Sequence, residues 1–180
     1  MDYFKIAKVY KMIHEGDTQV HWYRLFSGNS ARPRALITLW QACHEKLATR
    51  SRLHRFGMVG FNTCSFCMQE ETQDHLLFDC LKTRNIWKQV LVWSGFNHDP
   101  RRWAEELPWV VSICKGKSPR SSLLKLAFAE TVYGVWTFRN VVSFGNVVDE
   151  NRIALNIIDM LVYRGWTKDK LRPYLALLML

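Results

Sequence analysis

One short stretch of the chain, between residues 64 and 80, constrains the fold more than any other. Three of the five cysteines fall within it, and a histidine lies between the second and the third. The order is Cys64, Cys67, His75 and Cys80, with two, seven and four residues between successive members. Thiolate and imidazole are ligands that zinc prefers, and four of them complete a tetrahedral site. The spacing therefore predicts one structural zinc ion held by these four side chains.

Two other roles for these cysteines have to be weighed. Cysteine often packs as a small apolar residue, but residues 69–74 between the ligands are polar throughout, which does not suit a core segment. A disulfide would need an oxidising compartment, and the N-terminus shows no secretory signal. The chain also has no run of about 18 apolar residues, as a membrane span requires. We therefore expect a nuclear or cytoplasmic protein with no membrane partner, whose cysteines are thiols or metal ligands.

Most of the chain shows apolar residues at helical spacing, in segments bounded by helix-start and helix-stop residues. Pro33 fits the first turn of a helix, and Thr49 can cap a short basic helix that ends at Gly57. Ser118-Pro119 and Asp149 are the start signals of two further helices. The other predicted boundaries are a start near Ile6 with a stop at Gly16, a helix between Thr83 and Gly95, a start at Asp99-Pro100, and a stop at Gly145.

This pattern predicts an all-α fold, a helical domain with a small zinc clasp over residues 60–82. Residues 17–31 are ambiguous between a short strand and a helical turn. His75 and Cys80 are five residues apart, about 140° around a regular helix, so they do not share a face. The chain must therefore leave helical geometry near Phe78-Asp79 for both side chains to reach one ion.

Positive charge is concentrated before the ligands. The chain carries a net charge of +9, and residues 1–60 hold ten Lys and Arg against four Asp and Glu. Such a cluster attracts a polyanion, so we expect RNA or DNA as a partner, although a solvated helix face or an acidic protein partner would also explain it. The candidate contact residues are Arg50, Arg52 and Arg55, supported by Arg32, Arg34 and Lys46. Phe66, between the first two ligands, either stacks on an unpaired base or covers the metal.

Several short sequence motifs occur in the same order as in the zinc-binding reverse transcriptase domain, which the chain therefore resembles. That domain is found near the C-terminus of plant LINE-type (non-LTR) retrotransposon polyproteins and in fragments derived from them. The resemblance extends over residues 20–145. A later motif, Val135 to Asn140, is similar to the Trp…Arg-Asn helix that follows this domain. The family's zinc ligands correspond to Cys64, Cys67, His75 and Cys80. The earlier motifs are Leu39-Trp40, Lys46-Leu47-Ala48-Thr49, Arg52-Leu53, Cys64-Ser65-Phe66-Cys67, Glu71-Thr72, His75-Leu76-Leu77-Phe78-Asp79-Cys80 and Trp87.

The resemblance implies a link to proteins that copy RNA into DNA, but the chain lacks their catalytic residues. It contains no adjacent Asp-Asp pair for a polymerase metal site. The acidic pairs Glu105-Glu106 and Asp149-Glu150 lie beside predicted helix starts, where they compensate the helix dipole. The His-x-Glu and Pro-Cys-x-x-Cys words of zinc deaminases are absent. We therefore expect a non-enzyme.

Two functions remain open at this point. The first is a zinc-binding module that contacts nucleic acid through its basic segment. The second is a zinc-stabilised protein-interaction or scaffold module that docks on a polymerase or a host protein. A third interpretation, a decayed fragment without a selected role, also remains open. For the domain organisation we expect a zinc-binding, reverse-transcriptase-associated helical domain over residues 1–145 and a helical extension over 146–180 that packs on the same core. The apolar C-terminal tail either packs on that core or marks a piece cut from a longer chain.

Overall fold

The computed structural model describes residues 20–145 and 149–179, and its backbone there is almost entirely helical. A 3-10 helix (His21–Leu25) comes first, and a one-turn π-helix (His75–Asp79) lies in the middle of the chain. Among the described residues, the β-type pairing is one isolated bridge. The predicted all-α fold is confirmed. The α-helices are α1 (Pro33–Cys43), α2 (Arg50–Arg55), α3 (Leu81–Trp93), α4 (Trp103–Ile113), α5 (Pro119–Ser143), α6 (Glu150–Trp166) and α7 (Arg172–Leu178).

Local capping signals set most of the helix boundaries. Pro33 is the first residue of α1, where its missing N–H leaves no hydrogen bond unmade. The side chains of Thr49, Ser118 and Asp149 each accept a hydrogen bond from a backbone N–H in the first turn of α2, α5 and α6. Gly57 follows α2 with a φ of +68°, a conformation in which a side chain would be strained. These boundaries agree with those predicted from the sequence.

Two predicted helix starts are wrong. Helix α3 begins two residues before Thr83, whose buried hydroxyl donates a hydrogen bond to the carbonyl of Cys80. Helix α4 begins three residues after Asp99-Pro100, because the Asp99 carboxylate pairs with Lys88 of α3 at 2.9 Å instead of capping α4. The ambiguous residues 17–31 contain the 3-10 helix, and the predicted helix between Ile6 and Gly16 lies outside the described residues.

Helix α5 is the centre of the fold and is buried on more than one side. Of the apolar residues at helical spacing that the sequence places on one side of this helix, Leu124, Phe128, Val132 and Val135 are fully buried, whereas Trp136 is half-buried. Additional residues on its other faces are buried too, since α1, α3, α4 and α6 all pack around it. None of the helices in the described part combines the length and the apolar character needed to cross a membrane.

Helices α6 and α7 contribute buried apolar residues to the same core cluster as the helices before them. Helices α5 and α6 approach closely at Gly134, where an added Cβ would lie 2.8 Å from Cδ1 of Ile157. Helix α7 places Leu175 of the apolar C-terminal tail, fully buried, against Gly165 of α6. The division of the chain into a domain and an extension at this point stays a prediction.

A buried carboxylate ties α3 to α4. Glu106 is fully buried and accepts a hydrogen bond from Nε1 of Trp87 at 2.7 Å, while its other oxygen lies 3.0 Å from Nε2 of His98. Since a buried acceptor without a donor is costly, we expect Trp87→Phe to lower the free energy of unfolding by about 1–3 kcal/mol, measured by urea denaturation. The exposed Trp166→Phe should change it by less than about 0.5 kcal/mol. Equal effects of the two substitutions would contradict this role.

Candidate metal centre

The first two cysteines lie on a small hairpin formed by residues 62–71. The N–H of Glu71 donates to the carbonyl of Asn62 at 2.7 Å, and the N–H of Cys64 donates to the carbonyl of Gln69 at 2.6 Å. The residue after the second cysteine has a φ of +65°, which lets the chain reverse its direction tightly. Both thiols therefore project from one turn, as their two-residue spacing predicted.

The other two predicted ligands are joined by the π-helical turn. The N–H of Cys80 donates to the carbonyl of His75 at 2.8 Å, a hydrogen bond between residues five apart. This wider turn brings the fifth residue back close to the first, which a regular helix would not do. At Cys80 the backbone becomes extended, with ψ at 130°, and α3 then begins. The predicted departure from α-helical geometry is thus present as a π-turn followed by one extended residue.

The four candidate ligands place their donor atoms around one point. Each offers one donor atom, and these atoms lie within 4.8 Å of one another. The Sγ atoms of Cys67 and Cys80 are 3.8 Å apart, and Sγ of Cys67 is 3.1 Å from Nε2 of His75. Two sulfurs on a tetrahedral zinc ion with bonds of about 2.3 Å would be about 3.8 Å apart. Cys67 is exposed and the other three are buried, so the cluster lies just beneath the surface.

The electrostatics of the cluster also favour a cation. The thiol of Cys64 donates to the sulfur of Cys80, which, together with burial, raises the pKa of Cys64 well above its usual range; accepting that hydrogen bond lowers the pKa of Cys80. The N–H of Phe66 donates to Sγ of Cys64 at 3.4 Å, as backbone amides around metal-bound thiolates do. Neighbouring sulfurs cannot all carry negative charge unless a cation lies among them. The donor set therefore fits zinc.

A buried ion pair anchors the hairpin to the rest of the fold. Glu71 is fully buried, and Arg139 of α5 donates to its carboxylate from Nη2 at 2.5 Å and from Nε at 3.0 Å. The same carboxylate accepts the backbone N–H of Arg50, the first residue of α2, at 2.8 Å. Glu71 thus joins the hairpin, α2 and α5. The sequence analysis did not identify this anchoring ion pair, although Glu71 and Arg139 both lie in motifs that carry the family resemblance.

The basic residues predicted to bind nucleic acid on α2 are held by uncharged groups. Nη1 of Arg50 donates to the carbonyl of Thr63 on the hairpin at 2.7 Å, and its guanidinium lies over the ring of Phe61. Nη1 of Arg52 donates to the carbonyl of Glu45 at 3.0 Å. A carbonyl or a ring orients the guanidinium without neutralising it. Both side chains therefore keep an unbalanced positive charge beside the cluster.

The remaining predicted contacts fall into two groups. Arg55, Lys46 and Arg34 are exposed, and none of them makes a side-chain hydrogen bond or ion pair with any other residue between 20–145 or 149–179. Arg32 instead forms an ion pair with the buried Glu130 at 2.6 Å and joins the start of α1 to α5. The charge of Arg32 is therefore balanced within the fold, unlike that of the first group.

Phe66 packs against the protein. It is half-buried, and its ring stacks on Phe138 of α5 with the centroids 4.7 Å apart. Beside it, the hydroxyls of Ser65 and Ser143 are 2.9 Å apart. Ser65 and Phe66, the two residues between the hairpin cysteines, therefore both contact the C-terminal part of α5. This favours the role of Phe66 as a cover for the metal over stacking on a base.

Comparison with known proteins agrees with the site. Residues 4–87 match the family described as zinc-binding in reverse transcriptase. The match includes all four clustered ligands and α2, begins earlier than the resemblance quoted above, and ends before Arg139. No curated protein and no solved structure matches the chain. The chain therefore carries, over residues 4–87, a zinc-binding domain of the reverse transcriptase type.

Proposed function

We propose that this chain is a non-catalytic, zinc-stabilised helical module that holds RNA or DNA through α2 and its surroundings. One zinc ion would be bound by Cys64, Cys67, His75 and Cys80, joining the hairpin to the start of α3. Four protein ligands leave no position for water, so the ion would contribute folding free energy and no chemistry. A nuclear or cytoplasmic location, where thiols stay reduced, goes with this proposal.

The observation that carries the proposal is the unbalanced charge of α2. The ion pairs formed within the described ranges include none from Arg50, Arg52 or Arg55. Arg52 and Arg55 are about 60° apart around α2 and present guanidinium groups suited to phosphate oxygens, while Glu71 holds the start of the helix by accepting the backbone N–H of Arg50.

The test is the salt dependence of binding to single-stranded RNA and duplex DNA, measured by fluorescence anisotropy on the zinc-loaded chain. We expect log K to fall linearly with log salt, and Arg52→Gln with Arg55→Gln to weaken binding and make the slope shallower by about 1.4 on single strands. Arg50 is left unchanged because it also supports the hairpin. Each lost phosphate contact removes about 0.7 from the slope on single strands.

The matched control removes the same charge elsewhere. Lys168→Gln with Lys170→Gln, both exposed between α6 and α7, should leave the slope nearly unchanged. If both double variants lose affinity equally, the binding is a property of net charge and not of α2. If the folded wild-type chain binds neither probe at low salt, the protein-docking function becomes the better interpretation.

A further inference from the structure

A shallow groove runs between α1 and α5 on the side of the fold next to the hairpin. Its volume is about 520 Å³. Two of its apolar side chains stand well out into solvent: Phe144 is 84% exposed and Ile37 is 49% exposed. Large apolar groups exposed together in this way mark a binding surface more often than chance. The residues that define the groove are Arg34, Ile37, Tyr133, Trp136, Asn140 and Phe144.

The chemistry of the lining suits unpaired bases. Three of the residues are aromatic, Arg34 supplies a charge with no carboxylate partner in the described part of the chain, and Asn140 supplies an amide. None of the described residues that line the groove is acidic. Aromatic faces stack on any base, a guanidinium binds phosphate oxygens, and an amide can bind base edges. A groove that received an apolar helix would have less use for an unbalanced arginine at its rim.

The groove is linked to α2 by a network of hydrogen bonds through buried side chains. The carboxylate of Glu71 accepts the N–H of Arg50 at 2.8 Å and the guanidinium of Arg139, and Nη1 of Arg139 donates to Oδ1 of Asn140 at 2.9 Å. The same guanidinium lies over the ring of Trp136, 5.1 Å from its centroid. The first residue of the basic helix and one wall of the groove are therefore held by one hydrogen-bonded network.

We propose that this groove binds the unpaired bases of a single-stranded nucleic acid whose phosphates lie along α2. Phe144 and Trp136 stack on the bases, and Arg34 binds a phosphate at the far rim. This inference rests on the proposed function, because it extends the same strand from the basic helix into the groove. It adds a contact that no charge argument would locate, since stacking does not depend on charge.

The test separates stacking from charge. Binding of a fluorescein-labelled 12-nucleotide oligo(U) is followed by anisotropy over a salt series with the full zinc-loaded chain. Phe144→Ala should weaken binding about fivefold or more at every salt concentration while leaving the salt slope unchanged. Phe144→Tyr should restore the wild-type affinity, and Phe144→Leu should resemble Phe144→Ala, because it keeps the apolar surface but removes the π-face.

One control and one further variant complete the test. Trp166→Ala removes an exposed aromatic side chain from the C-terminal end of α6, far along the chain from the groove, and should not change affinity. Arg34→Gln should weaken binding and make the salt slope shallower by about 0.7. Thermal melting of each variant reports whether it is folded, and Phe144, which is almost fully exposed, is not needed for the core.

Each outcome decides something. Wild-type affinity in Phe144→Ala, with loss of affinity in the Arg52 and Arg55 variant, would overturn the groove inference and leave the proposed function standing. Absence of oligo(U) binding by the folded wild-type chain would overturn both. A concentration-dependent dimer that Phe144→Ala abolishes, with oligo(U) binding unaffected, would assign the groove to self-association and also overturn the inference.

Discussion

Cys80→Ser is expected to abolish stoichiometric zinc binding and to remove most of the stability of the chain. Cys80 is buried, its sulfur lies 3.8 Å from that of Cys67, and it is the N-cap residue of α3, so one substitution affects both the site and its link to the core. Structural zinc contributes about 10–16 kcal/mol in small zinc modules, comparable with the whole stability of about 5–15 kcal/mol of a typical domain. Zinc content by elemental analysis and thermal melting by circular dichroism measure the two effects.

The control for this substitution is Cys43→Ser. Cys43 is half-buried on α1, outside the cluster, and burial alone raises the pKa of its thiol. The Cys43→Ser variant should retain one zinc per chain, because Cys43 is not one of the four metal ligands. Chelation of the wild-type protein should reproduce the Cys80→Ser phenotype and unfold at least residues 60–82, while the variant itself should not respond to the chelator. A Cys80→Ser protein that keeps one zinc and melts like wild type would contradict the assignment.

Arg139→Ala is expected to lower the free energy of unfolding by about 3–5 kcal/mol, because it leaves the fully buried carboxylate of Glu71 without a positive partner. Arg139→Lys should recover only part of this loss, since an ammonium cannot match both oxygens as the guanidinium fork does. The measurement is urea denaturation of the zinc-loaded protein. A double-mutant cycle with Glu71→Ala isolates the pairwise energy.

A surface pair provides the comparison. Arg172 and Asp169 are 3.1 Å apart but exposed, so Asp169→Ala should change stability by no more than about 1 kcal/mol. If Arg139→Ala were as mild as this, the pair would not anchor the hairpin. Arg139 and Phe138 both lie beyond residues 4–87, the part of the chain that matches the family, and Phe66 stacks on Phe138. The zinc hairpin is therefore supported by the second half of the chain as well as by its own ligands.

Much of the site could be predicted from the sequence because it depends on short-range spacing. Cys64 and Cys67 need only a tight turn to lie together, and the departure from α-helical geometry between His75 and Cys80 follows from the residue count. Helix caps such as Thr49 and Ser118 act within three residues of themselves, so their signals can be read directly. The starts of α3 and α4 were misplaced because neither predicted residue caps its helix: the Thr83 hydroxyl donates to the carbonyl of Cys80 within the first turn of α3, and the Asp99 carboxylate pairs with Lys88.

The ligand set, the all-α character and the charge of α2 were thus determined by the sequence alone, because each depends on residues close together in the chain. The tertiary structure decided which charges are balanced. It pairs Glu71 with Arg139, 68 residues later, and Arg32 with Glu130, while the guanidinium of Arg50 has no carboxylate partner among the described residues. It also brought α1 and the end of α5 together to form the groove. Contacts between distant residues depend on how the helices pack, and helix packing is set by the whole core and not by any local pattern.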